Sequence, residues 1–223
     1  EAIVGDTRLP SSEEIRRRTI DFFATQNRAV TQLDYEALVY SMPEKFGSVK
    51  RCRVIRDPDS LRRNLNLYVV SENTRGKLIQ TNTTIKENVK TWLSRNKMIS
   101  DTIDILDAKI VNIGVEFEVI VDEESNKFQV LSDCNQAVRR LFSVMPYIGE
   151  PLYITDIFSA LNSVKGVVDA KKVEVKRKLG SRYSTVRFDV KDALSGDGRF
   201  LSIPKNVIVE IKFPDTDIKG AIS

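Results

Sequence analysis

Carboxylates gather twice in this sequence. Asp101, Asp104 and Asp107 recur at a spacing of three, and Asp122, Glu123 and Glu124 are consecutive. Such groups can hold a hard cation or share a proton in acid–base work. Neither set has the ligand spacing and central glycine of a calcium loop, and both fall where strands should end. Solvated strand ends are the expectation for both. Ser195-Gly196-Asp197-Gly198-Arg199 carries two glycines but matches neither phosphate-cradling pattern, G-x-x-x-x-G-K-[ST] or G-x-G-x-x-G, and reads as a turn. Cys52 and Cys134 sit among apolar neighbours and read as small buried hydrophobes. A thiol nucleophile would need a base, and histidine is absent from all 223 residues. That absence removes the Ser-His-Asp and Cys-His systems, His-rich zinc sites and the imidazole pH switch. Two cysteines neither complete a structural zinc site nor suggest a secreted disulfide scaffold, so a reducing compartment is expected. The expectation is therefore a non-enzyme, with no catalytic residue, no cofactor and no metal ligand to assign.

One charged stretch rises above the background. Between 165 and 182 there are seven lysines and arginines against Asp169 and Glu174, a net of +5, while the whole chain carries only +4. Strand alternation sorts it into two faces. Val173 and Val175 point to a core with Val186, Phe188 and Val190 of a partner strand. Lys172, Glu174, Lys176 and Lys178 point outward beside Tyr183, Thr185 and Arg187. Three uses fit this pattern: a ribbon that tracks phosphates with Tyr183 as a stacking platform, a docking face for an acidic protein, or a Lys-rich edge that guards against aggregation. Lys172, Lys176, Lys178, Tyr183 and Arg187 are the candidate docking residues. A single aromatic is thin for single-strand stacking, so nucleic acid is the lesser alternative.

The elements that must position these residues follow from caps and periodicity. Ser11 with Glu14, and Thr31 with Asp34, are capping boxes. They predict helices over 12–26, with Ile15, Thr19, Phe22 and Phe23 in phase, and from 32 to Pro43, with Tyr35, Leu38 and Met42 in phase. Strands are expected at 48–56, 64–70 and 102–106, with a helix after Asn82 carrying Ile85, Val89, Trp92 and Leu93. The strongest strand is 113–121, where Ile113, Val115, Phe117, Val119 and Val121 alternate with polar residues. A helix near 126–144 should bury Phe128, Leu131, Asn135, Val138 and Phe142. A turn at Ile148–Pro151 and a short helix bearing Ile157, Leu161 and Val164, ended by Gly166, come next. A hairpin of 167–178 with 183–190 and a last strand over 206–213 complete the reading.

This order predicts an α+β fold of two consecutive small units, residues 1–107 and 108–223. Each has a mixed or antiparallel sheet with amphipathic helices packed on it, and the second carries the basic hairpin 167–190. At 41% hydrophobic and 30% charged residues, the composition is that of a globular chain. No apolar run approaches the roughly 20 residues that span a bilayer, so no membrane role is expected. A sequence that opens at Glu1 is expected to be a fragment or a processed product.

Several segments resemble a known family. Arg28-Ala29-Val30-Thr31, continuing to Asp34-Tyr35-Glu36-Ala37-Leu38 and preceded by Arg16-Arg17-Arg18, is similar to the motif that opens the core of baseplate J-like proteins of contractile phage tails. The order that follows is also similar: Trp92-Leu93, the strand Val111–Val121, the helix around Ala137–Phe142, Ile148-Gly149-Glu150-Pro151-Leu152, Thr155-Asp156-Ile157 and Val164–Ala170. The ending Ile208–Gly220 more narrowly resembles the C-terminal half of the T-even-type baseplate wedge proteins that form the inner ring. The resemblance implies a virion component of the tail baseplate, assembled in the host cytoplasm. It implies association with copies of itself and with other wedge proteins in a ring around the tail hub. It brings no catalytic residues, no cofactor and no small-molecule substrate.

Overall fold

The computed structural model describes residues 10–25, 28–57 and 64–223. They fall into two compact units divided between Ala108 and Lys109. The fold is α+β.

In the first unit, helix α1 (Ser12–Thr25) begins on a closed capping box: the Glu14 N–H donates to Ser11 Oγ and the Ser11 N–H donates to the Glu14 carboxylate, both at 3.2 Å. Position 26, the last of the predicted helix, lies outside the described residues. Helix α2 (Gln32–Tyr40) repeats the device with Thr31 and Asp34 and buries Tyr35 and Leu38, with Met42 buried just after it. The face of α1 differs from the expectation. Glu14, Arg18, Asp21 and Thr25 are its more sheltered positions, while Ile15, Phe22 and Phe23 stay exposed, Phe23 at 84%. The polar contacts explain this. Glu14 makes a 2.6 Å ion pair with the buried Arg51, and the Arg18 guanidinium lies 4.4 Å from the centre of the Tyr40 ring. Leaving the buried Arg51 unpaired would cost about 3–5 kcal/mol, more than the roughly 1.5–3 kcal/mol gained by burying any single one of these apolar side chains.

The first sheet is built on strand β2 (Asn64–Glu72). Strand β1 (Arg51–Arg56) runs antiparallel on one side, pairing Cys52 with Val69. The other side takes β3 (Leu78–Ile79), antiparallel at the end of β2, and β4 (Thr102–Asp107), parallel along Asn64–Val69. Helix α3 (Thr83–Ser94), capped by Asn82, lays Ile85, Val89 and Leu93 on the core. Trp92, expected inside, is half-buried because its indole N–H donates to the Leu38 carbonyl at 2.8 Å. The free edge of β1 is closed by α2 side chains. The Cys52 N–H donates to Tyr40 Oη at 3.0 Å and the Val54 N–H to Glu36 Oε1 at 2.9 Å. Edge donors satisfied in this way cannot template another strand. Burial is the largest influence on Glu36 and pushes its carboxyl above the ordinary 4.5.

The second unit is organised by β5 (Lys109–Val121). Its odd residues Val111 to Val121 are buried, and so are Asn112 and Gly114, whereas Glu116 and Glu118 stay half-buried. Helix α4 (Lys127–Leu141) packs on the apolar face through Val130, Cys134 and Val138. The predicted stripe was turned: Asn126 accepts the Phe128 N–H at 3.1 Å, fixing the phase, and Phe128 projects into solvent at 87% exposure. Phe142 is half-buried. A two-residue strand β6 (Leu152–Tyr153) leads into α5 (Ile154–Asn162), which buries Ile157 and Leu161. Strand β7 (Val167–Arg177) then pairs antiparallel with β5 from Ile113 to Val121.

Here the predicted hairpin fails. Segment 178–189 forms no strand and has no ladder with β7, which pairs with β5 on one edge and, among the described residues, leaves its other edge unpaired; the segment is held instead by the Asn112 side chain and by Val186 and Phe188 on the core. A four-residue helix α6 (Val190–Ala193) follows, then β8 (Phe200–Leu201), antiparallel to β6. The opposite edge of β5 is shared by two short parallel strands. Strand β9 (Val207–Glu210), shorter than the 206–213 expected, takes Lys109–Asn112. After α7 (Pro214–Asp217), the unanticipated β10 (Ile218–Ile222) takes Val115–Val119. Gly220 lets β10 lie close to the core, since a Cβ there would sit 2.5 Å from Phe117 Cζ and 2.7 Å from Leu131 Cδ1.

Phe117→Ala should lower the unfolding free energy by about 3–5 kcal/mol in urea titrations, as for other buried aromatics whose neighbours cannot collapse. Glu36 yields a pH dependence of known sign. Its folded value lies above its unfolded one, so its contribution to stability is present below the ordinary glutamate range and is lost as pH rises through the folded value. Glu36→Gln keeps an acceptor for the Val54 N–H and should flatten the fall in melting temperature between about pH 4 and pH 6.

Candidate functional site

The candidate docking residues lie on or beside the sheet face that α4 and α5 leave open. Because β5 and β7 alternate, Glu116 and Glu118 come to this face with Lys172, Glu174 and Lys176, and the parallel neighbour β10 adds Lys219 opposite Glu116. The register sets Glu116 directly across from Glu174, which is unfavourable alone. Lysines resolve it. Lys176 binds both, touching Glu116 and lying 3.3 Å from Glu174, while Lys172 sits 2.6 Å from Glu174. A bulge between Glu118 and Val119 leaves Lys171 without a cross-strand position, and it reaches Glu118 at 3.1 Å. Hydrogen bonds from these ammonium groups are the first cause holding Glu116, Glu118 and Glu174 below the usual glutamate range. The same bonds raise Lys176.

The face is therefore a ladder of alternating sign. Lys171, Lys172, Lys176, Lys178 and Lys219 against Glu116, Glu118 and Glu174 leave +2. Three carboxylates interrupt the stripe along which a phosphate chain would run.

Lys178 and Tyr183 come together at the other end of the ladder. Lys178 lies over Gly114, whose missing side chain makes the room; a Cβ there would collide with Lys178 Cε and approach the Asp217 carbonyl at 2.7 Å. Tyr183 donates its hydroxyl to Asp217 Oδ1 at 2.7 Å, which raises the phenol, and its ring meets Phe213 edge-on with centroids 5.6 Å apart. The Arg182 guanidinium lies 5.2 Å from the Phe213 ring centre. Tyr183 is thus half-buried and engaged, where the sequence places it outward. Arg187 stands apart from the ladder on the segment 184–189, exposed.

That segment is tied down by a buried polar pair with no sequence signal. Asn112 Nδ2–H donates to Glu210 Oε2 at 3.0 Å, and Asn112 Oδ1 accepts the Ser184 N–H at 2.7 Å. Nothing in an asparagine on a strand and a glutamate 98 residues later announces this contact.

The other clusters resolve as structural. Asp101 is buried, not solvated: it accepts the Tyr35 hydroxyl at 2.7 Å. Asp104 accepts the Asn64 amide at 3.0 Å, and Asp107 binds Lys86 Nζ at 2.6 Å and the Thr81 N–H at 3.1 Å. Asp122, Glu123 and Glu124 form the exposed turn after β5. Ser195–Gly198 is a turn closed by the Gly198 N–H on the Ser195 carbonyl at 2.8 Å. Cys52 and Cys134 are buried, and burial raises both thiols, Cys52 far out of the range where a thiolate forms. Among the described residues, no group of three or more Cys, Asp and Glu could hold a metal ion, and no helix is long and apolar enough to cross a membrane.

No protein-family model matches the chain, and no curated protein matches it either. Among solved structures, it is similar to a chain of the anti-feeding prophage (AFP) baseplate, determined by cryo-EM and six-fold symmetrised. The TM-score is 0.54 at 11% identity, over 92% of this chain and 42% of that one. At such identity the likeness is one of fold, and the chain spans less than half the length of its neighbour.

Lys176→Gln tests the ladder directly. In carboxyl-detected NMR titrations, Glu116 and Glu174 should move up toward the ordinary glutamate value, while Glu118, held by Lys171, should stay low. Equal movement of all three would refute the pairing.

Proposed function

We propose that this chain is a non-catalytic structural component of a contractile-tail baseplate of the phage type. In that role it resides in the virion tail after assembly in the host cytoplasm, associating with copies of itself and with other wedge proteins in a ring around the tail hub. The observation that carries the reading is the fold likeness to a baseplate chain over 92% of this sequence. The order of motifs shared with baseplate J-like proteins supports it. So does α1, whose Ile15, Phe22 and Phe23 form an apolar face turned to solvent, the kind of face a neighbouring copy covers on assembly. The docking set is read as a site for an acidic stretch of a wedge partner. Lys172 and Lys176 are largely neutralised by glutamates, so Lys178 and Arg187 supply most of its free charge.

The test is particle assembly with variant chains. In Lys178→Glu with Arg187→Glu the exposed Arg187 should contribute no more than about 1 kcal/mol to the change in unfolding free energy, any larger loss coming from the half-buried Lys178 over Gly114. The double variant should slow incorporation into baseplates, and most strongly at low salt, where steering is unscreened. Phe23→Glu, also exposed, should leave the fold intact and reduce self-association in sedimentation. Particles that assemble normally and contain none of this chain would overturn the reading.

A further inference from the structure

The segment 184–189 has the sequence of a strand but pairs with none among the described residues. Tyr183, Thr185, Val186 and Phe188 are strong β formers, and burial alternates residue by residue: Ser184, Val186 and Phe188 half-buried, Thr185, Arg187 and Asp189 exposed. Strict period two is the mark of extended backbone, and Asp189, with φ −92° and ψ 114°, is extended. Val186 and Phe188 anchor the segment on the core of the second unit.

Its backbone groups are half spent. In an extended chain, successive residues present their N–H and C=O to opposite edges. On one edge, the Ser184 N–H donates to Asn112 Oδ1 at 2.7 Å and the Val186 N–H to Ser184 Oγ at 3.2 Å. On the other, the N–H and C=O of Thr185 and Arg187 meet no protein partner among the described residues. None of the usual devices blunts this edge beyond one arginine: no proline, no bulge, no covering helix side chain of the kind that closes β1. A strong β former held straight beside an unfilled ladder is a local conflict of the sort that marks functional sites.

We propose that Thr185–Arg187 is a docking edge that accepts an extended acidic segment of a second polypeptide by β-strand addition. The inference rests on reading the basic end of the second unit as a protein-docking site and names how the partner is held. Main-chain bonds to Thr185 and Arg187 supply the register. Charge selects the occupant: Lys178, Arg187 and Lys191 form no ion pair among the described residues, Lys178 feeling the Glu116 carboxylate only at longer range, and the nearby Asp189 is occupied in capping the Lys191 N–H at 2.8 Å. An acidic strand with glutamates on alternate residues sets its carboxylates beside these cations on one face.

Hydrogen exchange on the full chain tests this, with a synthetic heptapeptide of alternating Glu and Val as the probe. Saturating peptide should slow exchange at the Thr185 and Arg187 amides by about tenfold or more, while Phe117 and other core amides stay unchanged. A peptide N-methylated at alternate residues, which keeps its charge but loses one edge of donors, should give no protection. Arg187→Pro should abolish it, and Arg187→Gln should retain part of it. Peptide binding that leaves both amides unprotected, or that survives N-methylation, would overturn strand addition while leaving charge-based docking in place. Failure of the peptide to bind, or protection by an oligothymidine in its stead, would overturn it as well. Normal assembly of Lys178→Glu/Arg187→Glu chains would instead remove the docking reading on which it rests.

Discussion

A strand has two edges and two faces, and in the second unit β5 uses all four. One face carries the apolar residues from Val111 to Val121 onto α4 and α5. The other shows carboxylates that need cations. One edge is taken by β7, and the other is divided between β9 and β10. Once these are filled, no further segment can add to β5 as a strand. Segment 184–189 is held through the Asn112 side chain and through Val186 and Phe188. Tyr183 is held through Asp217. The outer edge of β7 stays open among the described residues, so the conformation of 178–189 follows from these side-chain anchors and not from weak strand propensity.

This explains which parts of the fold could be read from the residues. Local signals held: both capping boxes form as the Ser/Thr-x-x-Glu/Asp spacing requires, and the alternation of β5 placed Val115, Phe117 and Val119 inside. What failed was partner choice. The period-two pattern of 183–190 is real, but a pattern names the faces of a strand and not its neighbour. A hairpin was inferred from closeness in sequence, whereas β7 pairs with a strand more than fifty residues earlier. Helix phase failed for a related reason. In α1, Glu14 and Arg18 face inward because Arg51 and Tyr40 wait there, and no local rule reveals a buried arginine on another element.

The same limit governs the charges. Counted along the chain, 165–182 looks like a basic ribbon. Folded, its lysines face Glu116 and Glu118, which belong to a strand whose own sequence looks merely amphipathic. Several buried pairs share this character, among them Lys50 with Glu72 at 3.1 Å and Asn112 with Glu210. Each joins residues distant in sequence, and each would leave a costly unpaired group if broken. They specify register and topology where apolar packing alone would tolerate slippage.

A face neutralised from within is poorly suited to long-range attraction but well suited to a fixed place in an assembly. Alternating charges at strand spacing give no broad field; they offer a pattern that only a matching surface meets without loss. Free positive charge is left where the ladder ends, at Lys178, Arg187 and Lys191, beside a stretch of extended backbone with open hydrogen-bonding groups. The apolar excess lies elsewhere, on α1. The unsatisfied chemistry is thus of two kinds, apolar in the first unit and polar in the second. A contact at each would be selected by a different physical term: apolar area at α1, backbone pairing and charge at 184–189.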